Sequence, residues 1–281
     1  MATRVRFTKM HGLGNDFMVI DAINQLFIPD TELIKLWANR HTGVGFDQLL
    51  LVEHSQRADC DFKYRIFNCD GGEVEQCGNG ARCFAKYVIE KGLTDKQEIR
   101  VETKKEVLIL TVQDDDLIKV NMNQPKFTFS EIPFIPKNKD NNDPVQIVSI
   151  GALALPVTCV NVGNPHAVIM VDDVEKAPVT VWGKGVESSE QFPEKTNVGF
   201  MQVIDREHIK LRVYERGTGE TLACGSGACA AVVVGISLGV LDNKVVVTLP
   251  GGDLEIAWEE GNDITMIGSV AFVFDGVINS A

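Results

Sequence analysis

Apolar and polar residues alternate through Arg65–Phe67 and again through Leu211–Tyr214, and both stretches run into a glycine-rich turn. Period-two alternation of this kind predicts a half-buried strand. Beyond each turn the pattern becomes helical. Ala81–Lys91 and Ala228–Leu238 are predicted helices, each ended by a glycine, Gly92 or Gly239, in the position that favours a left-handed residue. The second helix is apolar all round (Ala230, Ala231, Val232, Val233, Val234, Ile236) and should be buried within its sheet. The first carries Arg82, Lys86, Glu90 and Lys91 and is expected to have a wetter face. Further strands are predicted at Glu98–Val112, Ile118–Met122, Val245–Leu249, Leu254–Trp258 and Ile264–Phe274. Near the middle of the chain, Lys137–Pro144 is a polar loop.

The two strand–turn–helix segments are copies of one another. When Cys77 is laid on Cys224, the run Arg65–Ala81 falls on Arg212–Ala228 without a gap. Within this alignment Arg65, Gly72, Glu73, Cys77, Gly78, Gly80, Ala81, Ile89, Gly92 and Asp95 each meet an identical residue, far more than average composition supplies by chance. Upstream the offset grows by two residues, so that Gly14-Asn15 lies over Gly163-Asn164 and Gln48 over Asn197. Each half then carries, in order, an amide after a glycine, a second amide, a third polar residue (Asn68 or Glu215) and a Cys-Gly-x-Gly-Ala turn. The natural reading is an internal duplication with a pseudo-twofold axis and a cleft seen by the two cysteines from opposite sides.

Composition narrows the field. A net charge of -12 and a pI near 4.9 argue against nucleic acid or an anionic membrane as partner, because either would need a basic face. The N-terminal residues lack the apolar core of a secretory signal. The apolar stretch Ala228–Leu241 is broken by Gly235, Ser237 and Gly239 and is too short to span a bilayer. A soluble, cytoplasmic protein is expected. The seven cysteines are odd in number and form no CxxC pair, which disfavours a disulfide framework, a zinc ribbon or a thioredoxin-like site.

Cys77 and Cys224 stand apart from the other five, none of which is matched by a cysteine in the other half. A thiol between a strand and a helix sits at the helix start, where unpaired N–H groups and the positive dipole end favour the thiolate. The same N–H groups, from Gly78 and Asn79 in one half and Gly225 and Ser226 in the other, can hold an anion. Two such turns facing one another suggest a substrate carboxylate between them, with a thiol on each face of the adjacent carbon. That layout inverts a stereocentre: one thiolate removes the Cα proton and the opposite thiol supplies one to the other face. The helix N-termini would stabilise charge developing on the carboxylate in a poorly hydrated site. No lysine lies in a recognisable pyridoxal context.

Four motifs carry a resemblance: His11-Gly-Leu-Gly-Asn-Asp-Phe17, Glu75-Gln-Cys-Gly-Asn-Gly-Ala-Arg82, Gly163-Asn-Pro-His166, and Tyr214–Cys229. In this order they resemble the diaminopimelate epimerases, which interconvert LL- and meso-diaminopimelate on the route to lysine and peptidoglycan without pyridoxal phosphate or metal. The resemblance implies that Cys77 and Cys224 are the acid/base pair and that Gly78, Asn79, Gly225 and Ser226 hold the reacting carboxylate. It places Asn15, Gln48, Asn68, Asn164, Asn197, Glu215 and Arg216 at substrate-contacting positions, Arg216 being suited to the distal carboxylate. His166 and Glu215 fall on positions that tune the cysteines.

The same resemblance implies an α/β protein of the α+β type. Its two pseudo-twofold-related halves would each be a curved, mostly antiparallel sheet or barrel around a central helix, with a cleft between them. The expected halves are residues 1–122, to which a last strand at about 269–281 returns, and residues 123–268. No cofactor, no metal, a small-molecule substrate and a homodimer are implied as well. A proline or hydroxyproline racemase of the same fold is the alternative, which the run of amides with Arg216 disfavours because it suits a substrate with a second polar end.

Overall fold

The computed structural model describes residues 4–74, 78–105, 107–113, 117–138 and 143–279. Cys77, with Glu75 and Gln76 beside it, lies outside the described residues, as do residues 139–142 of the polar loop. The chain divides into two compact units, Met1–Asn121 with Ile267–Ala281, and Met122–Met266.

In the first unit the elements are β1 (Arg4–Gly12), β2 (Asn15–Asp21), α1 (Thr31–Ala38), β3 (Gln48–His54), β4 (Phe62–Asn68), β5 (Glu73–Val74), α2 (Gly78–Glu90), β6 (Glu98–Glu102), β7 (Val107–Val112) and β8 (Ile118–Asn121). The second runs through β9 (Val145–Ile150), β10 (Leu153–Asn161), β11 (Pro165–Met170), α3 (Val179–Glu187), β12 (Asn197–Asp205), β13 (His208–Glu215), β14 (Gly219–Thr221), α4 (Gly225–Ser237), β15 (Lys244–Leu249) and β16 (Gly252–Ala257). The chain leaves through β17 (Thr265–Gly268), and β18 (Ala271–Asn279) lies antiparallel along β1 in the first unit.

Strand pairing repeats between the units. β1–β2 is antiparallel, β2–β3 parallel, β3–β4 and β4–β5 antiparallel, and β4–β6 parallel. The second unit follows the same sequence: β10–β11 antiparallel, β11–β12 parallel, β12–β13 and β13–β14 antiparallel, β13–β15 parallel. Even the flanking strand has its counterpart, since β9 pairs antiparallel with β10 as β18 does with β1. The fold is mixed α+β, rich in strands and mostly antiparallel.

Each unit buries one helix inside its sheet and lays a second on the outside. α4 packs against β10, β11, β12, β13, β15 and β16, which is why a helix apolar on every side is stable there. Burial of Val232, Val233 and Val234 contributes about 1.5–3 kcal/mol each as an upper estimate. α2 occupies the same place in the first unit, against β1, β2, β3, β7 and β8. On the outer face of that sheet, Ile34 and Trp37 of α1 pack with Met18, Ile20, Leu49 and Leu51, and Phe27 stacks on Trp37 at 5.7 Å. Val179 and Val186 of α3 do the same in the second unit with Ala167, Ile169, Val198 and Phe200. Strands covered on both faces have no polar side, so Leu49-Leu50-Leu51-Val52 is buried at every position.

Four expectations change. Arg82, placed by the pattern on the wetter face of its helix, is fully buried, because strands surround α2; its Nη2 donates to Asn79 Oδ1 at 2.9 Å. The predicted strand Glu98–Val112 is an antiparallel hairpin, β6 and β7, broken by the polar residues after Glu102. Ile264–Phe274 likewise divides into β17 and β18. The helices also start earlier than their apolar stretches suggest, at Gly78 and Gly225.

Candidate active site

In the first unit a tight hairpin sets the first amide. Leu13 (φ 56°) and Gly14 (φ 83°) both take left-handed conformations between the paired residues Gly12 and Asn15, as a two-residue turn that matches strand twist requires. Asn15 therefore begins β2. Its Nδ2 donates to Asp47 Oδ2 at 2.9 Å, and Asn79 Nδ2 reaches its Oδ1 at 3.4 Å. Gln48 and Asn68 face each other across β3 and β4, with Gln48 Nε2 donating to Asn68 Oδ1 at 2.9 Å. Asn15, Gln48, Asn68 and Asn79 are thus linked in two short hydrogen-bonded sets beside Gly78, the first residue of α2.

A charged clasp behind these amides escapes sequence reading. Asp47 Oδ2 accepts the Asp16 N–H at 3.1 Å, and Asp16 Oδ1 accepts the Asp47 N–H at 3.0 Å. Arg40 bridges the two carboxylates, at 2.9 and 2.8 Å to Asp16 and 2.7 Å to Asp47. Lys9 Nζ adds a contact to Asp16 at 2.6 Å and another to the Gly45 carbonyl. Burial alone would raise the Asp16 carboxyl, but the hydrogen bonds and charges of Arg40 and Lys9 outweigh it and hold the group well below the usual carboxylate range. The hydrogen bond to Asp16 in turn raises Arg40. Asp16 follows Asn15 and Asp47 precedes Gln48, so the clasp fixes the register of two amides at once. That adjacency was the available signal.

The second unit places Cys224 at the N-cap of α4 in extended backbone (φ -128°, ψ 108°). Its Sγ accepts the Gly227 N–H at 3.4 Å, an interaction that strengthens as sulfur gains negative charge. A Cβ at residue 227 would stand 3.3 Å from that sulfur and 3.0 Å from Val213, so glycine keeps the first turn close to the thiol. The N–H groups of Gly225 and Ser226 belong to the same first turn, whose donors have no intrahelical acceptor. Ser226 Oγ lies 3.6 Å from Cys224 Sγ and 3.1 Å from His166 Nε2.

His166 is fully enclosed, and Asn164 Oδ1 lies 2.9 Å from the same Nε2. Since Oδ1 is an acceptor, Nε2 carries the proton of a neutral ring. Burial, helped by the positive charge of Arg216, pushes the imidazole down to about 3. Asn197, opposite His166 in the parallel β11–β12 pair, spends its amide on the scaffold: Nδ2 donates to the Pro165 carbonyl at 3.0 Å and Oδ1 accepts the Arg216 N–H at 3.0 Å. Glu215 Oε1 accepts the Thr221 hydroxyl at 2.5 Å across the β13–β14 hairpin. Arg216 itself is exposed at the turn, with Nη1 at 3.3 Å from the Glu194 carbonyl.

The structure therefore gathers Asn164, His166, Asn197, Glu215, Arg216, Cys224, Gly225 and Ser226 at one end of the second unit, and Asn15, Gln48, Asn68, Gly78 and Asn79 at one end of the first. Among the described residues no cluster of three or more metal-ligating side chains occurs.

This fold is that of the amino-acid racemases and epimerases and of their relatives. A hydroxyproline epimerase from Agrobacterium vitis superposes with a TM-score of 0.72 at 10% identity, covering 98% of this chain and 92% of that one. A phenazine biosynthesis protein of the PhzF family from Bacillus anthracis gives 0.69 at 17% identity, covering 98% and 99%. Within that fold the sequence is specific: the diaminopimelate epimerase family model matches residues 7–128 and 158–273, and the chain belongs to that family. A diaminopimelate epimerase from Neisseria meningitidis is 56% identical over 97% of both chains.

Proposed function

We propose that this protein is a diaminopimelate epimerase, interconverting LL- and meso-2,6-diaminopimelate at one Cα as part of lysine and peptidoglycan precursor synthesis. The observation that carries the reading is Cys224 at the N-cap of α4, with a backbone N–H on its sulfur, within a chain of this family. In one direction the Cys224 or Cys77 thiolate takes the Cα proton as a new S–H bond, leaving the electron pair on Cα. The opposite thiol then delivers its proton to the other face and becomes the thiolate. Which cysteine serves as base depends on the isomer bound. No cofactor enters this scheme.

The carbanion shares its charge with the carboxylate, held by the first-turn N–H groups of Gly78, Asn79, Gly225 and Ser226. A neutral His166 donating toward Ser226 and Asn164 adds no charge of its own beside the Cys224 turn, and Glu215 is the second tuning group. Arg216 takes the distal carboxylate, with Asn15, Gln48, Asn68, Asn164, Asn197 and Glu215 around the remaining polar groups. This reading assigns residues 1–122 and the returning strand near 269–281 to one half and residues 123–268 to the other.

The working protein is proposed to be a cytoplasmic homodimer. The free thiols of Cys60, Cys69 and Cys159 suit a reducing compartment, and no described helix is long and apolar enough to cross a membrane. On β18, Phe272, Val273, Phe274 and Val277 expose apolar surface that a second copy would cover. Light scattering should then give about twice 30.9 kDa.

The functional test is incubation of reduced protein with LL-diaminopimelate in D₂O. Deuterium at one Cα, appearing with the meso isomer, is expected. Absence of exchange with both thiols intact would overturn the assignment, and turnover of proline or hydroxyproline instead would favour the racemase alternative.

A further inference from the structure

We infer that Glu187 is a positioning residue for the Arg216 turn and, through it, for recognition of the distal carboxylate; this rests on the assignment of Arg216 to that group. Glu187 is the last residue of α3 and is 5% exposed. Its Oε1 accepts the Gly217 N–H at 2.6 Å. The preceding N–H, that of Arg216, is held at 3.0 Å by Asn197 Oδ1. Two consecutive backbone donors of an exposed turn are therefore pinned by two side chains, one from α3 and one from β12. Gly217 takes φ 75°, a left-handed conformation that lets both N–H groups point inward.

The chemistry of Glu187 sets it apart from the apolar residues around it. Val179 and Val186 of the same helix fill the core beneath α3. A carboxylate buried at this level is costly unless it is satisfied, and among the described residues no lysine or arginine forms an ion pair with Glu187. Its partner is the Gly217 N–H, and a charged acceptor makes the stronger bond to such a donor. An apolar residue would pack there at less cost. The carboxylate serves to hold the turn, and a turn held before substrate arrives spares the entropy of ordering the Arg216 guanidinium on binding.

The test compares Glu187→Leu and Glu187→Gln with the wild-type enzyme. Glu187→Leu is expected to raise KM for diaminopimelate about tenfold, the scale of one lost hydrogen bond to a charged group, with kcat changed much less. Glu187→Gln, which keeps an oxygen at the same place, should restore most of the wild-type KM. In an Arg216→Ala background Glu187→Leu should add little further loss, because both act through one group. Hydrogen exchange at the Gly217 amide should accelerate in the Leu variant and not in the Gln variant.

If Glu187→Leu does not fold, Glu187→Asp, whose carboxylate falls one methylene short, carries the same expectations. An unchanged KM in a folded variant would overturn the inference, as would full additivity with Arg216→Ala or a Gln variant no better than Leu. A wild-type protein inactive on diaminopimelate would instead sink the functional reading, and with it the assignment of Arg216 on which the inference stands.

Discussion

The backbone N–H of Gly227 points at the sulfur of Cys224 across 3.4 Å, so the residue proposed to move a proton is also the cap of its helix. The two roles separate by substitution. Cys224→Ser keeps an acceptor for the Gly227 N–H and should leave the melting temperature close to wild type, while Cα exchange falls by about 10²–10⁴, the usual worth of a positioned acid or base. Cys224→Ala loses the cap as well and should cost a further 0.5–2 kcal/mol or so of stability. Deuterium exchange and thermal melts on the two variants check both expectations.

His166 gives the protein an acid-side weakness. Burial lowers its pKa to about 3 in the folded chain, whereas the unfolded value is near 6.5. Between those values the unfolded state binds the proton and the folded state does not, so stability rises with pH across the window. The contribution is complete above pH 6.5 and about 2 kcal/mol of it is lost by pH 5. Urea unfolding at pH 7.5 and 5 should show this loss, and His166→Asn should flatten it. The same burial keeps the ring neutral, so its NMR signals should not titrate between pH 5 and 8.

Asp47 should matter more to substrate than to stability. Its carboxylate orients the Asn15 amide at 2.9 Å and its backbone precedes Gln48, yet its side chain is 44% exposed. Asp47→Ala is expected to raise KM about threefold to tenfold, as a lost hydrogen bond frees the Asn15 amide to rotate. Steady-state kinetics on the variant, with circular dichroism to establish folding, test this.

Gly43 fixes the loop that leads from α1 to Asp47. A Cβ there would stand 2.4 Å from the Trp37 carbonyl oxygen and 2.5 Å from that of Leu36, backbone atoms that cannot step aside. Gly43→Ala should destabilise the first unit by about 1–3 kcal/mol. A lowered melting temperature, with weaker binding through the displaced Gln48, is the expected result; an unchanged melt would mean the loop relaxes freely.

Much of the site can be read from the chain because its determinants are local. The Cys-Gly-x-Gly turn, the alternation before it and the helical pattern after it are contiguous, and the duplication repeats them, so Cys224, Gly225 and Ser226 could be placed on a helix start from sequence. α1 and α3 could not. They are short and lie over strands such as Leu49–Val52 that are apolar at every position, where period-two reasoning has nothing to count. Arg82 misled for a related reason: a charge in a helical pattern normally marks solvent, and its burial depends on strands distant in sequence.

The sequence by itself determined the doubled architecture and the family, and it singled out the two cysteines to which the chemistry is proposed, since these rest on short spacings and on residue identity. Tertiary structure alone decided that Asp16, Arg40 and Asp47 form one clasp behind Asn15, that His166 is enclosed and neutral, and that Glu187 reaches the Gly217 N–H. Each of these depends on side chains from separate strands and helices meeting within hydrogen-bond distance. Burial, which sets both the cost of a charge and the direction of a pKa, exists only once the sheet has closed around its helix.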